Sequence, residues 1–109
     1  MTFDEYQQQA KGTAVYPIAM AIAYPALGLA GEAGEVCNKV KKVFRDYGGS
    51  LSASGLKGQL MDELGDCFWY LSALATDIGV ALDDVAQMNL KKLAARKTAG
   101  TLHGSGDQR

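Results

Sequence analysis

Apolar positions recur at three- and four-residue spacing through most of the chain, and no stretch alternates long enough to argue for a sheet. Thr2 followed by Glu5 has the form of a capping box and opens a first predicted helix over residues 3–12. Residues 14–25 are small and apolar, and either Pro17 or Pro25 can begin or end a helix, so the path there stays open. A second helix is predicted over 27–45, where Leu29, Ala33, Val36, Val40, Val43 and Phe44 share one face. Glu32, Glu35, Lys39 and Lys42 form a stripe beside it. Residues 46–55, rich in Gly and Ser, read as a loop.

The third predicted helix covers 56–78, and its middle, Cys67 to Ala75, is apolar nearly all round, which predicts burial on most sides. Gly79 breaks it. A fourth helix over 82–97 carries Asp83 and Asp84 at its positive end and Lys91, Lys92, Arg96 and Lys97 towards its negative end. Beyond Thr98 the composition turns to Gly, Ser and polar residues, which predicts a flexible tail over 99–109. The fold class expected is all-α: one four-helix domain over 1–98, its core completed by oligomerisation because so short a chain buries little by itself.

Eleven basic residues against twelve acidic ones leave a formal net charge of −1 among 109 residues. That balance argues against a nucleic-acid binder, which needs an excess of cations to neutralise phosphates. With 48% hydrophobic residues the chain is not a disordered one. No apolar run reaches the roughly 20 residues of a membrane-spanning helix, and the polar, acidic start does not read as a secretory signal. Cys37 and Cys67 each fall inside an apolar helical pattern, so both are expected as reduced core residues of a cytoplasmic protein.

Two motifs carry candidate chemistry: Glu32-Ala-Gly-Glu35 and Glu63-Leu-Gly-Asp66. Residues three apart on a helix are neighbours, so each motif points two carboxylates one way, and Tyr70 extends the second line. Antiparallel packing of the two helices would bring all four acids together. Partial burial of like charges is costly, so the group must be protonated, ion-paired or metal-bound. Lys39, Lys41, Lys42, Arg45 and Lys57 are available for a structural ion-pair network. The metal alternative is a hard oxygen site suited to Mg²⁺, with Mn²⁺ as substitute, rather than Zn²⁺. A di-iron bundle would need Glu-x-x-His pairs, and the single histidine, His103, lies in the tail. Asn89 and Lys92 place an amide and an ammonium on one face of the fourth helix, and no P-loop is present.

The segments Leu27-Gly-Leu-Ala-Gly-Glu-Ala-Gly-Glu-Val36, Asp62-Glu-Leu-Gly-Asp-Cys-Phe-Trp-Tyr-Leu71 and Asn89-Leu-Lys-Lys-Leu-Ala-Ala-Arg96 together resemble the MazG-type nucleoside triphosphate pyrophosphohydrolases of the all-α superfamily. The resemblance implies Mg²⁺-dependent cleavage of the α–β anhydride of a nucleoside triphosphate, deoxynucleotides being favoured, to monophosphate and pyrophosphate. Carried over by position, Glu32, Glu35, Glu63 and Asp66 are metal ligands, with one of the first pair a possible general base. Asn89, Lys92, Tyr70, Lys39 and Arg109 are candidate substrate contacts, and Trp69 is a candidate for base stacking or interface packing. The ending Gly104-Ser-Gly-Asp-Gln-Arg109 is similar to that of some small members and could close over a neighbouring subunit's nucleotide. Small members form homodimers or dimers of dimers. A phosphoribosyl-ATP pyrophosphatase is the alternative enzyme, and a non-catalytic helical interaction module with ion-paired acids the alternative of another class.

Overall fold

Thr2 closes the capping box expected of it, accepting from the Glu5 amide at 3.1 Å while its own amide donates to the Glu5 carboxylate at 2.6 Å. It starts α1 (Phe3–Lys11), the first of four α-helices in a computed structural model that describes residues 1–52 and 55–109. The others are α2 (Ala23–Tyr47), α3 (Leu56–Asp77) and α4 (Leu82–Ala99), with one 3₁₀ turn at Ile18–Met20. No strand occurs among the described residues. Positions 53 and 54 of the predicted loop lie outside them.

The prolines at 17 and 25 prove to have different roles. Pro17 precedes the 3₁₀ turn, whereas Pro25 sits in the first turn of α2, where no intrahelical donor is needed. The helix therefore begins four residues before the predicted position. Ile22, just ahead of it, has φ +68° and ψ −56°, and the Ala23 amide bonds back to the Ala21 carbonyl at 2.7 Å. This is a γ-turn of the rare, strained hand, on a β-branched residue that normally avoids positive φ. Asp77, at the far end of α3, holds it: one carboxylate oxygen accepts from the Ile22 amide at 2.8 Å and from the Tyr16 hydroxyl at 2.9 Å.

α2 and α3 form an antiparallel hairpin, as the order of their contacts shows. Gly28 lies against Tyr70, and Lys39 against Glu63. α1 packs across α3 and reaches the start of α4. There the buried Gln7 accepts from the Leu82 amide at 2.8 Å and donates to the Val80 carbonyl at 2.9 Å, and Asp4 accepts from the Asp83 amide at 2.9 Å. These two side chains satisfy the first amides of a helix whose own N-cap, Ala81, has nothing to offer.

The expected burial is only partly realised. Val43, Leu56, Ala73, Ala75 and Leu82 form a small buried core. Phe44, predicted on the inner face of α2, is 65% exposed, and Ala33 is exposed as well. Cys37 is exposed and Cys67 half-buried, both as free thiols, so neither is the core residue expected. The physical reason is shared: α2 packs chiefly on α3, and among the described residues no other helix packs against it comparably. α3 is likewise open along Met61, Leu64 and Leu71. α4 leaves Met88 73% and Leu90 66% exposed. The radius of gyration, 16.9 Å, exceeds the roughly 13 Å of a compact chain of this length.

Candidate functional site

The hairpin seam brings Glu32 of α2 against Glu63 and Asp66 of α3. One carboxylate oxygen from each lies within 4.8 Å of the other two. Glu32 and Glu63 are half-buried and Asp66 is exposed. Glu35, the fourth expected member, is exposed and stands outside this trio. Desolvation, then the charges of Asp66 and Glu63, hold the Glu32 carboxyl above the usual carboxylate range.

Cations do little to relieve the crowding. Lys39 reaches Glu63 at 2.7 Å, and that hydrogen bond holds the lysine above its ordinary value, firmly an ammonium. Among the described residues, neither Glu32 nor Asp66 has a cation within salt-bridge distance. Lys41 is turned to Asn38 and Arg45 to Asp46. The structure thus contains one pair of the ion-pair network that the lysines could have formed, not the network.

Thr13, Glu32, Asp66, Trp69 and Tyr70 line a cavity of about 360 Å³. The Trp69 indole donates to the Thr13 hydroxyl at 2.7 Å, which fixes the ring as one wall. Burial, with Tyr24, Glu32 and Asp66 nearby, pushes the Tyr70 hydroxyl up, so it stays a proton donor beside the acids. Gly28 underlies the Tyr70 ring, and a Cβ there would fall inside it. Burial and the three carboxylates also push the Cys67 thiol up, leaving it neutral. The donor set facing the cavity is therefore hard oxygen, which fits Mg²⁺ or Mn²⁺ and gives Zn²⁺ no soft ligand.

The other sequence candidates lie elsewhere in the chain. Asn89 and Lys92 border a separate cavity with Val80, Val85 and Met88, and no member of the trio lines it. Lys92 and the buried Arg96 hold Asp107 of the tail at 3.5 and 3.2 Å, an arrangement that keeps the Asp107 carboxyl below its usual range. Arg109 turns back on the tail, donating to the Thr101 carbonyl at 3.1 Å and to that of Gly106. Thr13, Tyr24 and Gly28 were not singled out by sequence. Of these only Gly28 left a trace, a missing side chain one turn before Glu32.

Residues 25–100 match the MazG nucleotide pyrophosphohydrolase domain. The chain is also 44% identical over 115 residues to the Gene 37 protein of Mycobacterium phage L5, with the full length of both covered. No solved structure matches it. None of the described helices is long and apolar enough to cross a membrane. A domain match over most of the chain, with all three members of the carboxylate trio inside the matched region, means that this protein belongs to the MazG nucleotide pyrophosphohydrolase family.

Proposed function

We propose that the protein is a Mg²⁺-dependent nucleoside triphosphate diphosphatase acting on (d)NTPs, with deoxynucleotides favoured, to give the monophosphate and pyrophosphate. The observation that carries this reading is the trio of converging carboxylates with a single ammonium among them. Such a group is stable with all charges present only when more positive charge arrives. Glu32, Glu63 and Asp66 would hold the cation. When bound, it supplies charge neutralisation for the phosphate oxygens.

The chain's own residues take the remaining tasks. The water oxygen bonds to one phosphorus of the α–β anhydride as that phosphorus's bond to the bridging oxygen breaks. The bridging oxygen leaves with the electron pair, and a proton of the water passes to a carboxylate. Glu35, outside the trio and one turn from Glu32, is the acid left free for that proton. Lys39, paired with Glu63 at 2.7 Å, would be free to turn to the phosphates if Glu63 held a cation instead. The Tyr70 hydroxyl, kept protonated, donates to the substrate.

Assembly as a homodimer or dimer of dimers completes this reading. The chain exposes 7780 Å², against about 5,800 Å² for a monomeric protein of this mass. That excess belongs to one chain, and covering it on both partners would give an interface in the roughly 2,000–5,000 Å² range of obligate homodimers. A second copy could then bring Asn89 and Lys92 of its α4 to the trio. The test is release of pyrophosphate from a panel of NTPs and dNTPs, with MgCl₂ and with chelator. Metal-dependent release from at least one triphosphate is expected, and release from none overturns the proposal.

A further inference from the structure

Behind Trp69 lies a second cavity, of about 240 Å³, enclosed by α1, the segment 12–22 and the later half of α3. Trp69 lines both this cavity and the acidic one. A ligand with its phosphates on the carboxylates therefore reaches the second cavity by passing along the indole. The volume is below the roughly 300–1,000 Å³ of pockets that take a whole drug-sized ligand. It suits one part of such a ligand.

The lining says which part. Small residues, Ala14 and Ala73 among them, line this slot together with the rings of Trp69 and Tyr16. Both rings are fixed: Trp69 by Thr13, and Tyr16 by stacking on Tyr24 at 4.7 Å and by its bond to Asp77. Rigid aromatic walls favour a flat π-system. We infer that this slot seats the nucleobase and that Asp77 selects bases bearing an exocyclic amino group, an inference that rests on the triphosphate reading above.

Asp77 is suited to this by how its oxygens are used. Its Oδ2 accepts from both Tyr16 and Ile22, which locks the plane of the carboxylate. Its Oδ1 accepts no hydrogen bond among the described residues, and Asp77 is part of the cavity lining. Lys11, also lining the slot, has no acidic partner among the described residues. A fixed acceptor beside a mobile cationic donor matches an amino group next to a ring nitrogen or carbonyl, as in cytosine, adenine and guanine. Thymine and uracil offer only a ring N–H between two carbonyls, and those oxygens repel a carboxylate. Repulsion of the wrong base selects as effectively as attraction of the right one.

Trp69 is the only tryptophan of the chain, so its fluorescence reports on the two cavities it lines and on no other part of the molecule. Nucleosides without phosphates, titrated in chelator, test the slot apart from hydrolysis. Cytidine, adenosine and guanosine should quench Trp69 at concentrations about tenfold below thymidine and uridine, the discrimination expected of one buried hydrogen bond made or lost. Asp77→Asn should erase that ratio. Ala14→Leu, which fills the slot from a loop position, should abolish quenching by all five while circular dichroism stays unchanged. Equal quenching by thymidine, or undiminished quenching in Ala14→Leu, overturns the inference. Pyrophosphate release without base-selective quenching also overturns it and leaves the triphosphate reading standing. Selective quenching without release supports the slot and sinks that reading instead.

Discussion

Glu63→Gln separates a metal centre from a structural ion-pair cluster, because the two predict opposite responses. In the metal-free protein Glu63 is attracted to Lys39 at 2.7 Å and repelled by two carboxylates within 4.8 Å. Coulomb energy falls as 1/r, so the two repulsions together amount to at least about 1.1 times the attraction, whatever the uniform dielectric. Removing the charge therefore leaves the metal-free melting temperature unchanged or raises it. With Mg²⁺ at ten times its dissociation constant, the parent protein gains about 1.4 kcal/mol, a rise of several degrees for a domain of this size. Disturbing even a residue behind the direct ligands costs about 10–100-fold in metal affinity. Loss of a direct ligand should erase the Mg²⁺-induced rise and the pyrophosphate release together. Calorimetric melting of both proteins, in EDTA and in MgCl₂, reads all of these terms. A variant that melts several degrees lower in EDTA yet keeps the full Mg²⁺ response would refute the reasoning and leave the acids a scaffold.

The raised Glu32 carboxyl makes the metal-free protein more stable on acidification through the range just above ordinary carboxylate values, and makes Mg²⁺ compete with that proton. The Mg²⁺-induced melting shift should accordingly shrink as pH falls towards the carboxylate range, and a shift independent of pH would contradict this. Gly28→Ala sets about 1–3 kcal/mol of overpacking against Tyr70 above about 1 kcal/mol regained in helix propensity, so it should destabilise and impair turnover; a variant more stable than the parent would show that Tyr70 moves freely. Burial and then Asp77 push the Tyr16 hydroxyl up to about 12, so its contribution to stability is lost as pH climbs from about 10 to about 12. Ultraviolet titration should show several late tyrosines, Tyr16 among them, and the absorbance of one tyrosine should shift towards ordinary values in Asp77→Ala.

The helices were legible because each long apolar stripe keeps helical spacing and each is closed by a recognisable signal, such as Gly48 at the end of α2 in the left-handed conformation. Burial was not legible. Periodicity tells which face is apolar and not whether anything covers it, hence Phe44 and Cys37 in the open. Three of the four acids gathered as their spacing suggested. Glu35 did not, because the α2 face towards α3 steps from Glu32 through the half-buried Val36 to Lys39, leaving Glu35 beside the seam. The path of residues 12–22 had no local signature at all, since Asp77, far along the chain, decides it.

That dependence sets an order of events. Isoleucine at residue 22 sits in a backbone basin it would leave if released, and its restraint comes from a carboxylate 55 residues downstream. The neighbouring Thr13 is likewise tied to an indole 56 residues away. The front of the cavity therefore cannot settle until α3 has formed. One wall of each cavity beside Trp69 is thus built by a stretch of chain whose path is set from α3.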